Sequence, residues 1–509
     1  MIVLFLFISS LIALSFYNFY YKRRNFPPGP TPWPIFGNLI TIHLSGAGEL
    51  AFKKWAKEFG PIYTYWIGEL PVICVADYSQ MVQIFQKDAE NYANRYIFPI
   101  QRVINGAKIK ENIKFKKLNI SDGQPAFGIL ISNGQRWRQH RRFALHVLRD
   151  FGLGKNLMQQ RIFEELKAMF AKIDLSIDQS ENNEINLAEF VENSIASIVN
   201  QFLFGVKFDE KNAADFYEIK QMMDEHSGEV GGHSLFWMYI LWPDLLRNVP
   251  WFRGKRLQLE ERIVNFHRYF EERIFERQAK MENPINLEKP SSDYVEAYLK
   301  EKARRDAAGE KGHQFESTYQ LGMMCFDLWI TGQETVVSVL SWGIALLLNN
   351  GEPLVKMCEE IDQLISRETV TEGQRRRMIT VADKANLPYT CAVTNEILRC
   401  ANIAPQNFIR TVASDVRLAN GFVLRRGTCI LPQISVVLCD ERVFPEPERF
   451  NPDRFLEGNG KLRRYDQLIP FSIGKRQCMG ESMARMELFL FIANIFSRYK
   501  VSPAQSLLR

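Results

Sequence analysis

Phe471-Ser472-Ile473-Gly474-Lys475-Arg476-Gln477-Cys478-Met479-Gly480 decides how this chain is read. A lone cysteine is more often a small buried hydrophobe than a ligand. Here Cys478 follows a glycine-containing loop and precedes a long helical run, Glu481–Phe496. Backbone N–H groups and the helix dipole favour a thiolate at such a position. Gly474 and Gly480 would let the backbone approach a flat ligand closely, and Arg476 offers a cation to an anionic group.

The segment resembles the haem-binding loop of the cytochrome P-450 family, FxxGxRxCxG, with every fixed position present. The resemblance implies haem b, with Cys478 as the axial thiolate ligand of the iron and Arg476 among the cofactor-binding residues. Other segments follow in the family's order. Glu396-Ile397-Leu398-Arg399 resembles its ExxR, and Phe450-Asn451-Pro452-Asp453-Arg454-Phe455 supplies a third member. Glu396, Arg399 and Arg454 are then structural, because a buried charge must keep its partners. Trp137 and Arg141 lie four apart, on one helical face, and Ser132 with Gln135 predicts a capping box for that helix. In the family this WxxxR pair contacts the haem propionates, and Arg95 resembles a second propionate arginine. A guanidinium suits a carboxylate because it binds as a planar fork. Gln406 stands about where relatives often carry a propionate-binding His.

Thr331-Gly332-Gln333-Glu334-Thr335 sits inside the apolar run Tyr319–Leu348. Thr335 can bond the carbonyl of Thr331 and Gly332 loosens the same turn, which predicts a local bulge. The pattern resembles the family's oxygen-activation motif, which makes Glu334 and Thr335 an acid–alcohol catalytic pair that relays protons. Thr331 replaces the usual alanine, and Val336 replaces a common hydroxyl residue.

Composition narrows the rest. The chain's 64 Lys+Arg against 58 Asp+Glu leave +6, spread widely, which argues against nucleic acid as a partner. With 46% apolar and 24% charged residues, disorder, collagen and coiled coil are excluded. Eight cysteines without CxxC spacing argue against a disulfide framework or a zinc site and fit a reducing compartment. Residues 1–21 are apolar almost throughout, long enough at 1.5 Å per residue for roughly one 30 Å bilayer core. Lys22-Arg23-Arg24 follows, so the segment reads as a transmembrane signal anchor with the remainder in the cytosol. Residues 22–37 form a basic stop-transfer and a Pro-rich, semi-rigid hinge.

Residues 38–509 read as one haem-thiolate monooxygenase domain, mainly α with small β-sheets: the cytochrome P-450 fold behind an N-terminal transmembrane anchor. Helical periodicity runs through Phe163–Ile173, Ile185–Phe204, Leu257–Glu282 and Tyr319–Leu348. Strand patterns cover Ile62–Ile67, Pro71–Val75 and Cys429–Val437. Ser234–Trp251 is apolar and aromatic but broken by prolines, either a core helix pair or a membrane-dipping access element.

The resemblance, to the drug- and fatty-acid-oxidising branch of microsomal animal enzymes, implies a single-pass protein of the endoplasmic reticulum membrane with its catalytic domain on the cytosolic side. It would insert one oxygen atom from O2 into a small lipophilic substrate (xenobiotic, fatty acid or steroid). Electrons would come from NADPH through NADPH-cytochrome P-450 reductase, with cytochrome b5 as a further partner. Arg136, Arg138, Arg142 and Lys475 are the expected docking cations for an acidic flavoprotein. Two alternatives stand beside this: a haem-thiolate isomerase or dehydratase, against which Glu334-Thr335 argues, and a catalytically impaired haem-binding protein. Lys108–Ile120 reads first as an exposed basic loop; impairment is suggested because its Lys/Ile/Asn composition is also what translated AT-rich non-coding sequence gives. It is also suggested by Tyr499–Arg509, too short for the family's C-terminal substrate hairpin, which reads as truncated. Weak, poorly coupled turnover is the expectation for such a chain.

Overall fold

Apolar residues recurring at helical spacing become helices through the middle of the chain in the computed structural model. The structure describes all residues except 1, 47, 99–125, 153–156, 181–182, 209–212, 233–241, 243–245, 247–248, 282–284, 316, 367–376 and 505–509. Lys108–Ile120, most of Ser234–Trp251 and the end of the tail therefore lie outside the described residues. The principal helices are α1 (Ile2–Phe19), α2 (Glu49–Phe59), α3 (Gly134–Gly152), α4 (Leu157–Gln179), α5 (Leu187–Phe204), α6 (Ala213–Gly232), α7 (Pro250–Ala279), α8 (Tyr294–Ala307), α9 (Thr318–Asn349), α10 (Gly351–Ser366), α11 (Pro388–Ala401) and α12 (Glu481–Arg498). Pro250 and Pro388 open α7 and α11, where a missing N–H is one of the helix's orphans anyway.

α9 is the axis of the body. It packs on α5, α7, α11 and α12, and buries Leu321, Met324, Trp329, Val336 and Leu340 in the main core. A Cβ at Gly332 would stand 3.3 Å from Val199 of α5, so this glycine sets how closely the two helices approach. The expected bulge is absent. Thr335 Oγ1 does donate to the Thr331 carbonyl at 2.7 Å, but α9 runs on as an unbroken α-helix, because packing on four neighbours holds it straight.

A five-stranded sheet lies to one side, in the order β1 (Ile62–Ile67), β2 (Leu70–Val75), β7 (Cys429–Pro432), β4 (Arg410–Thr411), β3 (Asn94–Arg95). β2 and β7 are parallel and the other pairs antiparallel. A separate hairpin joins β5 (Val416–Arg417) to β6 (Val423–Leu424). The strand expected over Cys429–Val437 ends at Pro432; Ile434–Leu438 is a short helix instead.

Glu396, Arg399 and Arg454 form the expected network, and every charge in it is satisfied. Arg399 Nε donates to Glu396 Oε2 at 2.7 Å, Arg454 Nε to Oε1 at 3.1 Å, and the Asn451 N–H to Oε1 at 2.8 Å. Arg399 also donates to the Leu438 carbonyl, and Arg454 to the carbonyls of Pro445 and Arg449. Burial works against the Arg399 charge, but its bonds to Glu396 outweigh burial and raise its pKa.

Glu487 on α12 is the opposite case. Its side chain is buried and neither oxygen has a hydrogen-bond partner. Burial pushes its pKa up to about 8.

Two outcomes follow from these carboxylates. Glu396→Ala strands two buried guanidinium groups and lowers stability by about 3–5 kcal/mol in chemical denaturation; a loss under about 1 kcal/mol would contradict the network's role. Glu487 titrates higher folded than unfolded, so its contribution is fully present below the ordinary carboxylate range and is lost as pH rises through about 8. Glu487→Gln therefore gains Tm over the parent, and the gap widens from pH 5 to pH 8, as calorimetry at stepped pH will read; a constant gap would contradict the burial argument.

Candidate cofactor and active site

The Cys478 loop is held by backbone contacts before any ligand is considered. The Cys478 N–H donates to the Phe471 carbonyl at 3.0 Å, closing the loop on itself. Gly474 adopts φ +77°, and a Cβ there would overlap the Phe85 carbonyl oxygen. Contact with the protein's own backbone is therefore enough to require glycine at this position. Gly480 does face open space: a Cβ there would meet nothing within 4 Å.

Cys478 is exposed as a residue, yet enough protein surrounds its thiol for burial to raise the pKa. The N–H groups of Gly480 and Glu481 and the Arg141 charge pull the other way, and burial outweighs them. The helix-end donors foreseen for a thiolate are present and act against burial.

Beside the loop, four guanidinium groups converge. Arg95 and Arg410 are direct partners across the antiparallel β3–β4 pair, both buried. Like charges opposite one another destabilise a sheet. Arg476 stacks 3.8 Å from the buried Trp137 ring, and Arg141 lies 6.0 Å from the same ring. Among the described residues none of the four makes an ion pair, and each has its pKa lowered. Burial acts first in every case, pulling Arg95 to about 9 and Arg476 to about 7, and Arg410 well below its ordinary value. The neighbouring arginines lower these three further; Arg141 is lowered by burial, with Cys478 opposing. Arg95 Nε, Arg410 Nε and Trp137 Nε1 are buried with no hydrogen-bond partner.

This arrangement fits a group that carries carboxylates. Unpaired buried cations and orphaned donors face each other beside the thiol, and an anionic ligand would satisfy both. The structure brings together Arg95, Trp137, Arg141, Arg476 and Cys478 as the sequence implied. It adds Arg410, which the sequence reading missed by looking at Gln406, four residues earlier; only the β3–β4 register reveals it. Arg476 is mostly occupied as a tie. Its Nε donates to the Ala93 carbonyl at 2.6 Å, and its Nη2 to the Ser132 carbonyl and Asn133 Oδ1 at 2.6 and 3.0 Å.

The capping box does not form. Ser132 is buried and donates to the Gly128 carbonyl at 2.7 Å, while Asn133 bonds the Arg95 backbone. Two α9 residues absent from the sequence reading hold this segment. Asp327 Oδ2 accepts from the N–H groups of Ile129 and Leu130 at 2.7 and 2.9 Å, and Gln320 bonds both backbone groups of Gly128.

On α9, Thr335 is exposed and Glu334 half-buried. Burial raises the Glu334 pKa, and Glu192 of α5 and Asp224 of α6 raise it further, against Lys220. Lys220 bridges Glu192 at 2.6 Å and Asp224 at 3.4 Å. Glu334 therefore belongs to a group of three carboxylates sharing one ammonium.

The docking cations are not all free. Arg138 pairs with Glu90 at 2.7 Å and Lys475 pairs with the same carboxylate. Arg136 turns inward, over the Phe127 ring and toward Gln314, and so leaves the expected patch. Arg142 is exposed.

Comparison with known proteins gives a consistent result. A family model described as Cytochrome P450 matches residues 27–507. Rat cytochrome P450 2C23 is 31% identical over 497 residues, 97% of this chain and 91% of the relative. Mouse cytochrome P450 2C44 is 30% identical, covering 96% and 91%. Chicken cytochrome P450 2H1 is 30% identical, covering 95% and 89%.

Replacing one member of the arginine group has opposite effects with and without a bound anion. Arg410→Met should stabilise the cofactor-free protein by removing a buried like charge, and should speed haem loss to a scavenging apoglobin by about tenfold. A destabilised apoprotein with unchanged haem retention would show that Arg410 only packs.

Proposed function

Since the chain belongs to the cytochrome P450 family, we propose that it is a monooxygenase of the endoplasmic reticulum membrane in which Cys478 holds the haem iron and Glu334 and Thr335 handle protons. Enzymes of this family carry haem b on a cysteine thiolate, use O2, and receive electrons that originate from NADPH. The observation that supports the site assignment is the buried arginine group without an acid, set beside the Cys478 loop.

Arg95 and Arg410 each have an Nε–H left that would orient the propionates, Trp137 Nε1 adds a neutral donor, and Arg141 adds its charge beside Cys478. Arg476 fixes the ends of the loop so that these donors do not drift. Bound there, haem supplies the oxidising chemistry; the chain supplies position, dryness and protons. Thr335 donates its own hydrogen to the Thr331 carbonyl, which leaves its oxygen lone pairs free to accept from a proton source. Glu334 is that source: burial and two neighbouring carboxylates make it hold its proton to higher pH than an ordinary glutamate. Lys220, Glu192 and Asp224 connect it to the surface between α5 and α6. α1, with apolar side chains exposed around its girth, Leu14 and Phe16 among them, serves as the anchor, and the body lies on the cytosolic side. Its substrate is a small lipophilic molecule, and a flavoprotein reductase delivers the electrons on the cysteine side.

Two measurements test this. Reduced, carbon-monoxide-treated protein shows the red-shifted Soret band of thiolate ligation, and Cys478→Ala loses it; a variant that keeps the band would remove Cys478 from the role. Thr335→Ala binds haem normally yet diverts electrons to hydrogen peroxide, so product per NADPH falls by about tenfold or more. Unchanged coupling would leave Thr335 as a packing residue.

A further inference from the structure

The end of α1 does not hang free of the body. Asn18 donates to the Pro32 carbonyl at 2.9 Å, Lys22 pairs with Glu69 at 2.9 Å, and the Thr64 N–H donates to the Pro28 carbonyl at 3.0 Å. Between the helix end, the proline segment, β1 and the β5–β6 turn lies an open, cleft-like cavity of about 280 Å³. Arg23, Arg24, Thr64, Trp66 and Phe422 line it.

Three features of this cavity call for an anion with ester or phosphate oxygens. Neither Arg23 nor Arg24 has an acidic partner among the described residues. Arg23 donates only to the Phe19 and Gly29 carbonyls and Thr31 Oγ1, and Arg24 only to the Tyr21 hydroxyl while lying 4.2 Å from its ring. Lys22, by contrast, already has Glu69. Second, Thr64 Oγ1 is buried with no hydrogen-bond partner. Thr64 shares its strand face with Trp66, two residues on, and both border the cavity. Third, the position is the first turn after an apolar helix whose last residues, Tyr17, Phe19 and Tyr20, are exposed aromatics of the kind that settle at a headgroup layer. Burial also lowers the Arg23 pKa with no acid opposing it.

We propose that this cavity binds the headgroup of one anionic phospholipid, its phosphate held by Arg23 and Arg24 and one of its oxygens accepting from Thr64. The volume falls just below the about 300–1,000 Å³ of drug-sized pockets, enough for a phosphate and glycerol but not for acyl chains. The chains would run alongside the exposed face of α1. The proposal rests on α1 lying in a bilayer.

The test uses full-length, haem-loaded protein. It is floated with vesicles of phosphatidylcholine alone and with vesicles that also contain phosphatidylglycerol, then extracted into mild detergent, and the lipid retained is counted by native mass spectrometry. The protein should float on both vesicles and keep one phosphatidylglycerol. Arg23→Gln with Arg24→Gln should still float, with haem content unchanged, and retain phosphatidylglycerol about thirtyfold less well. Thr64→Val alone should weaken retention by about fivefold. Excess inorganic phosphate should not displace the lipid. Equal retention of both lipids, or a double variant that retains as well as the parent, overturns the site while leaving the anchor in place. Displacement by inorganic phosphate overturns the lipid in favour of a free anion. Failure to float on phosphatidylcholine alone overturns the anchor and this proposal with it.

Discussion

Arg95 and Arg410 are forced side by side by the register of two short strands, and among the described residues no acid pairs with either. Buried like charges cost free energy, so the surrounding structure must hold the groups in place. Most of the surrounding structure does this. Asn133 clasps the Arg95 backbone, Arg476 ties Ala93 to Ser132 and Asn133, and Asp327 and Gln320 fix residues 128–130 to the central helix. Gly474 lets the cysteine loop rest directly on Phe85. Folding therefore prepares a local electrostatic penalty that only an anionic ligand relieves. Binding and stability are coupled through that penalty, in the sense that any ligand specific for the folded state stabilises it.

The Glu396 network shows the opposite treatment of charge. There two guanidinium groups surround one carboxylate, and backbone carbonyls take most of the remaining donors. Little is left to offer a ligand, so the network acts as scaffold. Satisfied buried charges support the fold, and unsatisfied ones mark where a partner would gain most. By the same measure Glu487 stands out, buried with neither oxygen hydrogen-bonded among the described residues.

The cysteine loop, the Glu-x-x-Arg pair and the Trp137–Arg141 spacing were legible in the chain because each is a local pattern, complete within one turn or one loop. The long helices were legible for the same reason. What could not be read depends on how distant segments meet. Arg410 was overlooked in favour of Gln406 because the register of β4 against β3 is not written in either strand. Gly474 has a second reason to be glycine, its contact with Phe85, which lies almost four hundred residues earlier and is not visible in the loop itself. Ser132 has the spacing of a cap, but its hydroxyl is turned back on the preceding segment, where it donates to the Gly128 carbonyl. The bulge foreseen at Gly332 yielded to packing, since local looseness in a helix matters little when four neighbours hold it.

Glu90 shares one carboxylate between Arg138 and Lys475. An acidic side chain arriving at that face meets cations that are already answered, so docking there is a substitution of one counter-charge for another and not a fresh attraction. Glu90 cancels one of the two charges, so the far field is reduced and not abolished, and each pair made on docking is offset in part by one loosened. Such a face suits visits that end quickly. A partner that has to come and go between successive deliveries is better served by an easily reversed exchange than by a grip, because slow departure would set the pace of everything that follows.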